Sequence, residues 1–92
     1  MGALEAPLIF YMERKLKVGD VCLVDNNSVD SLVFWKQMSK RFPYLICPCS
    51  VKSTTRLVVS ELLGSQNVLV QFQANPKMLS VFRNKDLKVI TK

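Results

Sequence analysis

Polar and apolar positions alternate most regularly over residues 55–73. Leu57, Val59 and Leu63 fall on one side of an extended chain, with Arg56, Ser60 and Leu62 on the other. Val68, Val70 and Phe72 then alternate with Leu69, Gln71 and Gln73. A period of two is the signature of strands, and Gly64-Ser65-Gln66-Asn67 between the runs has the length of a hairpin loop. A tight turn at Asn75-Pro76-Lys77 leads to a strand over 79–83, one turn of tight helix over 84–87, and a short last strand over 88–91. Earlier in the chain, Val18-Gly19-Asp20 reads as a turn opening a strand that runs to Val24.

The stretch between these strands has a different rhythm. Asp25-Asn26-Asn27-Ser28 is a turn or helix-start signal. Phe34, Met38 and Phe42 then recur at four-residue spacing, with Ser31 and Trp35 beside them, which is the face of a helix over 29–42. Asn27 or Ser28 would cap it and Pro43 would stop it. The β-forming run Leu32-Val33-Phe34-Trp35 keeps a strand open as the alternative. Residues 44–51 look extended, and Pro48 assigns them to a sheet edge or a kink. The apolar run over 7–12 is too short to span a membrane, and Glu5 stands where a secretory signal would be basic. Gly2 is followed by Ala6 where a myristoylation signal needs Ser or Thr. No membrane association is expected.

Composition narrows the chemistry more than it names it. At 92 residues, 49% hydrophobic and 22% charged, the chain suits one folded domain with a modest core. There is no histidine, which removes the commonest general base and every Ser-His or Cys-His pairing. The three glycines are far apart, so there is no glycine-rich phosphate loop. Asp20, Asp25 and Asp30 read as turn formers and lack the density of a calcium loop. Cys22, Cys47 and Cys49 are odd in number, and Cys47-Pro48-Cys49 has no second ligand pair for zinc. Reduced thiols in an intracellular compartment, nuclear or cytoplasmic, fit that pattern. Cys49 lies three residues from Lys52, the one hint of an activated thiol. The expectation is a non-catalytic module with no cofactor and no metal.

Charge then points to partners. The chain carries +6 overall, and residues 51–92 hold seven Lys or Arg against two acids. A basic half suits an acidic partner, although lysines at exposed positions also serve solubility alone. Two recognition modes follow. A protein or peptide partner would be held by Phe34, Trp35, Tyr44 and Phe82, since aromatic residues dominate binding hot spots. Such an apolar surface is also compatible with a homodimer. As the alternative, DNA or RNA would be held by two basic groups: Lys36, Lys40 and Arg41 on a helix flank, and Lys77, Arg83, Lys85 and Lys88 around the closing strands.

The order of hairpin, short turn, strand, helical turn and final strand, with Val18-Gly19-Asp20-Val21 at the first strand, resembles an SH3-like small barrel. Tudor-like and chromo-barrel domains are the relatives it is most similar to, through residues 68–72 and the closing 85–89. An OB-like barrel is the alternative architecture. The resemblance covers residues 18–24 and roughly 55–91 and implies a mainly β domain over 18–92. It leaves unexplained residues 1–17, read as an arm or extra strand, and 25–54, read as a helix-containing insertion. It also implies a place in chromatin- or RNA-associated machinery. The sequence departs from the methyl-lysine readers of these families: Gln73-Ala74-Asn75-Pro76 has no aromatic at the turn that usually supplies a cage wall, leaving Phe34, Trp35 and Tyr44 of the insertion.

Overall fold

The computed structural model describes residues 16–90. The arm expected at 1–17 therefore lies outside the described residues, except for Leu16 and Lys17. Leu16 is buried in the core. Five strands follow, β1 (Val21–Val24), β2 (Leu57–Leu63), β3 (Asn67–Phe72), β4 (Leu79–Arg83) and β5 (Leu87–Val89), with one α-helix, α1 (Val29–Ser39). All strand pairs are antiparallel, in the order β4-β3-β2-β1-β5. The sheet is open, because no ladder joins β4 to β5.

It nevertheless curls around one core. Leu16, Cys22, Val24, Val51, Leu57, Val59, Val68, Val70, Phe82 and Leu87 form a single buried cluster, to which every strand contributes. Phe82 and Leu87 come from the two edge strands, and they meet in that cluster only if the sheet bends back on itself. The alternation read over 68–73 holds, with Val68 and Val70 fully buried. In β2 it holds as far as Val59. A bulge between Val59 and Glu61 then shifts the register, so that Glu61 faces Leu69 and Leu62 faces Val68.

The ambiguous segment is a helix, and its surroundings explain why. Ser28 is extended (φ −80°, ψ 158°) and its Oγ accepts the Ser31 N–H, which caps α1. After Ser39 the Arg41 and Phe42 amides return to the Met38 carbonyl, and Pro43 follows. Packing supplies the rest. Ser80, Val81 and Phe82 are consecutive and all buried, which alternation permits only if both faces of β4 are covered. Phe82 faces the core, and Val81 faces the opposite side, where α1 packs on β4.

Of the two readings of residues 44–51, an edge strand or a kink, the structure shows a single bridge followed by a turn at Pro48. Ile46 makes one parallel bridge to Ser80, its N–H donating to the Leu79 carbonyl (2.8 Å) while the Ser80 hydroxyl donates to the Ile46 carbonyl (2.7 Å). Pro48–Ser50 then turns as a 3-10 helix. The edge of β4 is thus covered by the insertion and offers little template for another chain. A second 3-10 turn, Asn84–Asp86, links β4 to β5 where the sequence predicts one turn of tight helix.

Candidate functional site: the two ends of the helix

At its start, α1 is bound to the 3-10 turn that precedes β5 by one buried carboxylate. Asp86 is fully buried, and its Oδ2 accepts hydrogen bonds from the Ser28 N–H (3.2 Å), the Ser28 hydroxyl (2.6 Å) and the Ser31 hydroxyl. Ser31 is also fully buried, and its Oγ accepts the Arg83 N–H (2.9 Å). The Asp86 carbonyl takes the Asp25 and Asn26 amides as well. A carboxyl oxygen offers two lone pairs in fixed directions, and here one oxygen, Oδ2, takes all three donors. Burial of this polar group is offset by the three donors that converge on Oδ2, while Oδ1 is buried with no hydrogen-bond partner.

Around this lock the basic residues are already engaged. Lys85 Nζ lies 2.6 Å from Asp30 Oδ2, and that ammonium holds the Asp30 carboxyl below the usual carboxylate range, first through the hydrogen bond and then through its charge. Lys88 lies 4.0 Å from Asp25. Arg83 donates to Asn67 Oδ1 at 3.2 Å. Three of the seven cations proposed for nucleic acid are therefore partnered within the domain.

The other end of α1, about 16 Å away for eleven residues, is arranged differently. Lys36, Lys40 and Arg41 are exposed, the first two four residues apart on one side of the helix. The Arg41 guanidinium sits 5.7 Å from the centre of the Phe42 ring. Phe42 in turn meets Tyr44 edge-on, with centroids 5.9 Å apart and planes at 63°. Tyr44 is 61% exposed. The Ile46–Ser80 bridge brings this segment beside the start of β4, so Lys77 and Met78, which immediately precede β4, belong to the same end. Arg56 flanks the same turn, its carbonyl accepting the Gln73 N–H. No acid among the described residues lies within ion-pair distance of Lys36, Lys40, Arg41, Arg56 or Lys77.

The structure thus regroups the residues singled out from sequence. Lys77 precedes β4 and lies at the opposite end of that strand from Arg83, on the side where Ile46 bridges to Ser80. The expectation that Phe82 anchors a partner is corrected: it is fully buried in the core and offers a partner nothing. Trp35 is half-buried and its indole N–H donates to the Leu45 carbonyl (3.0 Å), so it fastens the helix to the segment that follows. Phe34 is half-buried on α1, and Tyr44 alone of the four aromatics is well exposed. Phe42 and Arg56 were not among the expected site residues. The run Lys40-Arg41-Phe42-Pro43-Tyr44, basic residues interleaved with aromatic ones, was the available signal for Phe42. For Arg56 there was none, because only the fold brings it beside the β3–β4 turn.

Among the described residues, no group of three or more His, Cys, Asp or Glu could hold a metal ion, and no helix is long and apolar enough to cross a membrane. No protein-family model, curated protein or solved structure matches the chain.

Proposed function

We propose that this chain is a non-catalytic recognition module of the SH3-like, Tudor-like kind, which takes an acidic ligand on the basic and aromatic end of α1. The ligand this face fits best is single-stranded nucleic acid. The observation that carries the reading is the Arg41–Phe42–Tyr44 cluster next to exposed Lys36 and Lys40, with no ion pair to an acid among the described residues. Single strands are bound by cations that follow the phosphates and by aromatic faces on which bases stack. Tyr44, exposed and edge-on to Phe42, supplies such a face. The strand order β4-β3-β2-β1-β5, the 3-10 turn between β4 and β5, and the single curled core support the small-barrel assignment. An intracellular setting, nuclear or cytoplasmic and associated with RNA or chromatin, accords with that assignment and with the free thiols.

A second reading, an acidic peptide or protein partner, has its own observation. Val29 and Val33 are 72% and 47% exposed, four residues apart on α1, and Lys36 and Lys40 continue that side of the helix. An apolar strip ending in cations suits an acidic amphipathic segment.

Titration with single-stranded RNA and with duplex DNA at low and physiological salt separates the two readings. The nucleic-acid reading expects micromolar binding to the single strand that falls steeply with salt, and at least tenfold weaker binding by Tyr44→Ala. Absence of binding at low salt overturns it, and Val33→Asp in a peptide-binding assay then tests the second.

A further inference from the structure

Cys47 and Cys49 take no part in the face proposed above. They flank Pro48 at the start of the first 3-10 turn, with Cys47 as its N-cap residue. Their side chains point toward each other, so that the two sulfur atoms are immediate neighbours and no disulfide joins them. The turn is held in place around them. The Ser50 N–H donates to the Cys47 carbonyl, the Val51 N–H to the Pro48 carbonyl, and Asn27 Nδ2 reaches the Pro48 carbonyl at 3.3 Å. Val51 and Pro48 are buried, so the backbone on which the two thiols sit is anchored to the core.

The two thiols also differ in a way that assigns them roles. Cys49 is exposed and Cys47 half-buried. Burial, and then the hydrogen bond shared with Cys49, push the Cys47 thiol up from the usual cysteine range. Cys49, the exposed sulfur, is the one a reagent in solution meets first. Among the described residues no third ligand joins them, and two sulfurs alone do not make a structural metal site.

We propose that Cys47 and Cys49 form a dithiol modification site that low-molecular-weight disulfides oxidise to an intrachain disulfide. With glutathione disulfide as oxidant, the Cys49 thiolate attacks one of its sulfurs and one glutathione thiolate leaves. Cys47 gives its proton to solvent and attacks the Cys49 sulfur of the mixed disulfide, and the second glutathione thiolate leaves. Two protein thiols are oxidised and one small disulfide is reduced to two thiols, as in any thiol–disulfide exchange. Cys22, fully buried in the core, stays outside the reaction.

The test is intact-mass spectrometry of the full chain after equilibration with excess glutathione disulfide, acid quenching, and alkylation under denaturing conditions. The wild type should lose two hydrogens and accept one alkyl group, on Cys22, in place of three. Cys47→Ser should instead accumulate a stable glutathione adduct on Cys49, and Cys49→Ser should form no intrachain bond. Persistent glutathione adduct on the wild type, a Cys49-linked dimer, or alkylation at all three cysteines would each overturn the proposal. The surface position of Cys49 makes Cys49→Ser safe for folding, so the comparison stands even where Cys47→Ser is less stable.

Discussion

The two ends of α1 carry similar numbers of cations, yet they use them in opposite ways. At the first turn, Lys85 pairs with Asp30 and Lys88 with Asp25, while Arg83 donates to Asn67 and Asp86 takes the Ser28 and Ser31 donors, so the domain spends these groups on its own structure. At and after the last turn, Lys36, Lys40 and Arg41 are exposed, as is Lys77 before β4, and none of them makes an ion pair among the described residues. The helix dipole favours this polarity at both ends, by about 0.3–1 kcal/mol per charge near a terminus. The dipole does not account for the aromatic pair at the second end, or for cations there that come from outside the helix. A charge already partnered has little left to offer a phosphate. An unpartnered one keeps its full attraction. Basic composition therefore marks a ligand surface only after the internal pairs are removed.

The largest effect is expected at the first end. Asp86→Ala leaves the Ser28 and Ser31 hydroxyls and the Ser28 amide without their acceptor, in a site with little water, and should destabilise the domain by about 3 kcal/mol in chemical denaturation. Asp86→Asn keeps the shape and one acceptor oxygen, so it should lose less. If Asp86→Ala unfolds at the wild-type denaturant concentration, the lock is not what holds α1 to the sheet.

The next effect belongs to the second end and should show in binding far more than in stability, where only the helix-dipole and Arg41–Phe42 contributions are lost. Replacing Lys36, Lys40 and Arg41 together with Gln removes three exposed, unpartnered cations. The slope of log affinity for a single strand against log salt should shrink by about 2, at roughly 0.7 for each phosphate no longer neutralised. An unchanged slope would place the ligand elsewhere.

Trp35→Phe asks whether the indole holds the two ends in their relation. It deletes the N–H donated to Leu45 and should cost about 1 kcal/mol in thermal or denaturant unfolding. Wild-type stability in this variant would mean that the bond is incidental.

The smallest effect is at the Asp30–Lys85 pair, which is exposed. Because the folded state holds the Asp30 carboxyl below its unfolded value, its contribution is present above the usual carboxylate range and is lost as pH falls through the depressed folded value. Asp30→Asn should therefore be slightly less stable than wild type at neutral pH and equal to it in acid. A difference that persists in acid would point to a cause other than this ion pair.

Much of the sheet was legible because alternation and turn residues report directly on strands. Val68, Val70 and the Asn75-Pro76-Lys77 turn stand where the pattern put them. The phase of β2 beyond Val59 was not legible, since a bulge leaves no mark in an apolar run such as Leu62-Leu63. The helix could be outlined from Ser28 and Pro43, but its choice over a strand depended on Asp86 and on the outer face of β4, both distant in sequence. The site was half legible for the same reason. Residue type singled out Lys36, Lys40, Arg41 and Tyr44, which the structure leaves exposed, while the pairing of Lys85 with Asp30 and the burial of Phe82 are products of long-range packing.

The most direct measurement of the central claim compares two variants in one titration of single-stranded RNA across a salt series. One carries Lys36, Lys40 and Arg41 changed to Gln, and the other carries Lys85 and Lys88 changed to Gln. The first should lose affinity by tenfold or more at low salt, while the second should bind like wild type. Retained binding by the first, with loss by the second, would contradict the claim and move the ligand to the end of the helix where the charges are already paired.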